Sequence, residues 1–116
     1  MPRSPLVALG AVNAALAVAA GAFAAHGLRE RLDTRALEVF ETGARYHMYH
    51  ALAMILAGLL AARGPGWTFQ AGIVVFSGSL YALALTNVKV LGAITPIGGV
   101  AFLAGWIWLA IVAWRG

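Results

Sequence analysis

The spacing of charge along this chain limits its fold more than any other feature. No Asp, Glu, Lys or Arg falls between Arg3 and Arg29, Arg45 and Arg63, Arg63 and Lys89, or Lys89 and Arg115. A helix that crosses the hydrocarbon layer needs about 20 apolar residues, and each gap is of that order. The second gap is the shortest, so Arg45 or Arg63 is expected to snorkel to the interface. The predicted fold is all-α: an integral membrane bundle of four transmembrane helices near 5–25, 44–62, 67–88 and 95–114, with a short amphipathic interfacial helix near 34–42 between the first and second. These form a single domain over 1–116. With 62% hydrophobic and 10% charged residues, the chain has too little polar surface for a soluble domain.

The net charge of +4 comes from scattered single residues. It lacks the basic cluster that nucleic acid requires, and reads instead as membrane flanking. The lipid bilayer is the expected partner, with homo-oligomers or other membrane proteins as further candidates. Arg29, Arg31, Arg35, Arg45 and Lys89 fall on one face of the membrane and Arg3, Arg63 and Arg115 on the other. The basic excess therefore predicts a cytoplasmic polar stretch and outside termini. The chain has no cysteine, which excludes disulfides and thiol catalysis. Arg3, the apolar run and Ala22-Phe23-Ala24 also resemble a secretory signal peptide. The run is longer than the usual signal core and contains Asn13, and three more apolar segments follow.

All four acidic residues lie in the polar stretch from Arg29 to His50. Asp33 is placed to cap a helix carrying Ala36, Val39, Phe40 and Gly43 along one side. Arg35–Glu38 and Glu41–Arg45 have helical pair spacing, as on a solvated face. Further on, His50, Ala53, Met54, Ala57 and Ala61 share one face, and Leu52, Ile55, Leu56 and Leu59 the other. Small residues allow close helix approach, so His50 is expected to point inward. Arg63-Gly64-Pro65-Gly66 reads as a tight turn, with Trp67 and Trp114 in an aromatic belt. Thr95-Pro96 reads as the start of the last helix, with Gly98, Ala101 and Gly105 as its close-packing edge. In the first segment, Asn13, Ala17, Ala20 and Ala24 form a small-residue stripe, and an ideal helix would put His26 about 140° from it.

Four blocks carry a family resemblance: Gly21-Ala22-Phe23-Ala24-Ala25-His26-Gly27-Leu28, Tyr46-His47-Met48-Tyr49-His50-Ala51-Leu52-Ala53, Phe76-Ser77-Gly78-Ser79-Leu80-Tyr81 and Leu91-Gly92-Ala93-Ile94-Thr95-Pro96-Ile97-Gly98-Gly99. Together and in this order they resemble the small inner-membrane proteins called domain of unknown function 423, of the UPF0382 type. That family is similar to the eukaryotic transmembrane-protein-256-like proteins. The resemblance implies a bacterial integral membrane protein and no assigned activity. His26, Tyr46 and His50 match its pattern, whereas His47 stands where Gln is usual.

If four spans alternate, His26, Tyr46, His47, His50 and Asn87 form a candidate polar cluster at one interface, with Thr95 nearby. Ionisable residues in a membrane are functional suspects. His47 and His50 have a spacing that can chelate a metal, with His26 as a third ligand. No carboxylate or thiol accompanies them, and shallow histidines can instead hydrogen-bond across helices. Structural histidines, a metal or haem site and a proton relay are the three readings. The first is favoured, with no cofactor and no metal expected. Ser77 and Ser79 have no base near them in sequence, and Gly98-Gly99 lacks the surroundings of a phosphate loop. The expectation is a non-enzymatic structural or accessory membrane protein. The alternatives are a small oligomeric transporter or channel, or a haem- or metal-binding protein using His26, His47 and His50.

Overall fold

The computed structural model describes residues 3–116. Four antiparallel helices make up the bundle: α1 (Pro5–Leu28), α2 (Thr34–Leu59), α3 (Arg63–Thr86) and α4 (Leu91–Arg115). The start of α1 lies against the end of α2, where Ser4 and Val7 pack on Gly58, and Trp108 of α4 packs on Gly64. The start of α1, the end of α4 and the α2–α3 turn therefore share one end of the bundle. The polar stretch and the α3–α4 turn share the other.

Three helices, not the expected four, are long and apolar enough to cross a membrane: α1, α3 and α4. The segment near 44–62 fails as a fourth because absence of formal charge is not the same as apolarity. Tyr46, His47, Tyr49 and His50 follow directly on Arg45, so the apolar part begins only at Ala51. About ten residues of apolar helix span roughly half the hydrocarbon layer. The interfacial helix expected near 34–42 is likewise not separate. Asp33 caps it as predicted, its Oδ1 accepting from Ala36 N–H at 2.8 Å, but nothing after it breaks the helix. The chain from Thr34 to Leu59 is one rod of 26 residues. Arg35, Glu38, Glu41 and Arg45 are exposed on it, while Phe40, Ala44, His47, His50, Ala51, Met54 and Ala57 form a buried face.

Two apolar clusters hold the rods together. Leu6, Ala53, Met54, Phe69, Ile73 and Phe102 join all four helices near the end that holds the α2–α3 turn. Ala24, Leu28, Phe40 and Ala84 join α1, α2 and α3 near the polar end. Outward, α4 presents Ile97, Val100, Leu103 and Ile107, as a lipid-facing surface should.

Local chemistry moves several predicted boundaries. The α2–α3 turn is Leu60–Ala62, and Arg63-Gly64-Pro65-Gly66 is the first turn of α3, where the missing N–H of Pro65 is harmless. Thr95-Pro96 lies inside α4, which begins at Leu91. The amides of Leu91, Gly92 and Ala93 bond to the carbonyls of Val88, Lys89 and Val90, winding a tight turn ahead of the proline. Two π-helical turns, Ala24–Leu28 and Ile73–Ser77, shift the register of α1 and α3. Along the first, Ala24 and Leu28 are buried and His26 is exposed. The second buries Ser77, whose hydroxyl donates to the Gly43 carbonyl at 2.8 Å.

Ala61 adopts φ 57°, the left-handed region that a Cβ disfavours. Ala61 is exposed, so nothing else is lost there by removing its methyl. Ala61→Gly is expected to stabilise the protein by about 0.5–1 kcal/mol, offset in part by the freer unfolded chain. Thermal unfolding in detergent checks this, and a lower melting temperature would contradict it.

Candidate functional site

The polar residues inside the bundle form two groups, both anchored on α2. The first is a chain of side chains crossing from α3 through α2 to α1 and back to α3. Asn13 is 5% exposed, and its Nδ2 donates to the Leu9 carbonyl at 3.0 Å and to Gln70 Oε1 at 2.7 Å. Its Oδ1 lies 2.9 Å from His47 Nε2, and His47 Nδ1 lies 2.9 Å from the Tyr81 hydroxyl.

One backbone group fixes the directions around Asn13. The Leu9 carbonyl can only accept, which fixes the Asn13 amide nitrogen on that side and its oxygen toward His47. His47 Nε2 must then carry the proton and donate. In the neutral imidazole, the form favoured by burial, Nδ1 then accepts from the Tyr81 hydroxyl. With His47 neutral, the chain reads Tyr81 to His47 to Asn13 to Gln70.

The second group is centred on His50. Its Nδ1 lies 2.8 Å from the Tyr46 carbonyl, which can only accept. Nδ1 therefore donates, and Nε2 accepts from Trp106 Nε1–H at 3.0 Å. The Phe102 ring stacks on the imidazole at 3.5 Å between centroids, with the planes 6° apart. His50 is thus neutral, with its proton on the opposite nitrogen from His47. The two histidines sit one turn apart on the same helix, yet share no partner.

The other members of the expected cluster lie elsewhere. Tyr46 contributes its carbonyl to His50, while its ring, 37% exposed, lies 5.0 Å from that of Phe76. His26 and Asn87 are exposed, and Asn87 closes α3 in the left-handed conformation with φ 56°. Thr95 instead pairs its hydroxyl with that of Ser79. Among the described residues, no group of three His, Cys, Asp or Glu side chains comes close enough to hold a metal ion.

Sequence reasoning placed Asn13 on the inner stripe but named no partner for it, and passed over Gln70, Tyr81 and Trp106. The available signal was their isolation. A lone amide in an apolar helix needs a partner on another helix, and two such residues, Asn13 and Gln70, found each other.

Residues 20–99 match the family described as "Protein of unknown function (DUF423)". The chain belongs to this family. Among DUF423 relatives, the UPF0382 membrane protein YwdK of Bacillus subtilis is 49% identical, over 92% of this chain and 94% of its own. A UPF0382 membrane protein of Staphylococcus aureus is 48% identical over 94% of both chains, and one of Staphylococcus epidermidis 49% identical over 90% of this chain and 91% of its own. No solved structure matches the chain. As its three apolar helices and these relatives indicate, this DUF423 chain is a multi-pass integral protein of the bacterial inner membrane.

Proposed function

We propose that the protein is a non-enzymatic structural or accessory component of the membrane, and that His47 and His50 lock its helices together. One observation carries the reading: all four ring nitrogens of the two histidines already hold partners within the chain. A metal or haem iron takes its electron pair from an unprotonated ring nitrogen. Here those two nitrogens accept from the Tyr81 hydroxyl and the Trp106 indole. Its partners on this reading are lipid and other membrane proteins, since the basic residues are divided between the two ends of the bundle.

The test uses His50 in detergent, with and without a chelator. His50→Ala is expected to lower stability by about 2 kcal/mol, through the lost bond to Trp106 and the cavity beside Phe102. His50→Gln should recover part of this, because its amide can accept from the indole. The chelator should leave wild type unchanged. If it destabilises wild type and His50→Gln behaves like His50→Ala, the histidines are ligands and the reading fails.

On the same reading the polar end of the bundle faces the cytoplasm, as the basic excess at that end supports. A cysteine at the exposed Thr34 position should escape an impermeant maleimide in intact cells and react after permeabilisation. Labelling in intact cells would reverse the orientation.

A further inference from the structure

The polar end holds a cleft that the histidine groups do not use. Its volume is about 800 Å³, and it opens between the start of α2 and the α3–α4 turn. Three cations line it from three separate pieces of chain: Arg31 before α2, Arg35 in its first turn and Lys89 after α3. The single carboxylate in the lining, Asp33, is occupied as the α2 cap through the Ala36 amide. The positive end of the α2 dipole adds to the same field. The site is therefore cationic, with a net formal charge of +2 from these four side chains.

The remaining wall has a different chemistry. Val39, Leu83 and Leu85 line the cleft on the side of the rods, and Leu85 is 52% exposed, on the surface that meets lipid. A cationic mouth over an apolar wall that continues into the membrane surface suits a phosphate ester with hydrocarbon attached. Basic pockets between helices at a membrane face are a recurrent form of headgroup site.

We propose that this cleft binds the phosphate of an anionic phospholipid, with Arg31, Arg35 and Lys89 around the headgroup and the acyl chains along Val39, Leu83 and Leu85. A free phosphate would share the cationic contacts but make no use of the apolar wall. The other end of the bundle also has a cleft, with Arg3 and Arg63, but at about 510 Å³ it is smaller and brings two cations together rather than three.

The full chain, purified in a nonionic detergent, is titrated with phosphatidylglycerol, phosphatidylcholine or inorganic phosphate while its melting temperature is followed. Phosphatidylglycerol is expected to raise the melting temperature saturably, and the other two to leave it in place. Each cation replaced by Gln should weaken the apparent affinity about fivefold, so that Arg31→Gln/Arg35→Gln/Lys89→Gln loses the shift. Arg3→Gln/Arg63→Gln should keep it. The three side chains are exposed, so the lipid-free melting temperature of the triple variant checks that it is folded, and Lys89→Gln alone supplies a milder measure. An undiminished shift in the folded triple variant, or an equal shift with phosphatidylcholine, overturns the proposal. A shift with inorganic phosphate as large as that with phosphatidylglycerol overturns the lipid assignment in favour of the free ion.

Discussion

Asn13→Leu is expected to destabilise the bundle by about 2–3 kcal/mol although it replaces a polar residue in an apolar helix with an apolar one. Local hydropathy predicts the opposite sign. The substitution strands the Nε2–H of His47, which is 5% exposed. An unpaired buried donor costs about 1–3 kcal/mol. Gln70, half-buried, also loses its partner but can turn away. Two further variants isolate the cause. His47→Gln should be mild, because an amide can still donate to Asn13 and accept from Tyr81. Asn13→Leu/His47→Leu should be less damaging than the sum of its parts, since removing both partners leaves no orphan between them. The measurement is reversible unfolding in detergent. An Asn13→Leu protein as stable as wild type would mean that the chain from Tyr81 to Gln70 contributes nothing.

The second large effect separates two adjacent glycines. A Cβ on Gly98 would stand 2.7 Å from the Phe76 Cα and closer still to the Phe76 amide nitrogen. These are backbone atoms in a packed helix, and relief requires α3 and α4 to move apart. Gly98→Ala is therefore expected to lose about 2–3 kcal/mol. A Cβ on Gly99 meets only the Phe76 ring at 3.9 Å, an ordinary contact. Gly99→Ala should be neutral or stabilising, by up to about 1 kcal/mol, through helix propensity. Melting temperatures of the two variants check the pair. Equal behaviour would show that α3 and α4 are not in contact at this crossing.

These two sites also mark how far the sequence could be read. The packing faces were legible because small residues recur at helical spacing. Asn13 and Ala17 on α1, Ala53, Met54 and Ala57 on α2, and Gly98 and Gly105 on α4 are buried as expected, whereas Ala20 and Ala101 are half-buried and Ala61, past the end of α2, is exposed. The number of spans was not legible from charge alone, because tyrosine and histidine are polar without being charged. The polar partners were harder still. Periodicity puts His50 on the inner face but cannot say which helix meets it, and the donor is Trp106 on α4. The exposed position of His26 follows the ideal-helix offset of about 140° from the inner stripe of α1, not the placement in the interfacial cluster.

The opposite tautomers of His47 and His50 have an electrical consequence. Past Arg45 on α2, and through the middle turns of the other three helices, no side chain carries a formal charge, and the two buried imidazoles are neutral. A potential of 100 mV does about 2.3 kcal/mol of work on an elementary charge moved across the membrane. It finds no such charge in this interior. The bundle should keep the same shape in energised and de-energised membranes, and a voltage signal that reached it would have to come through another protein.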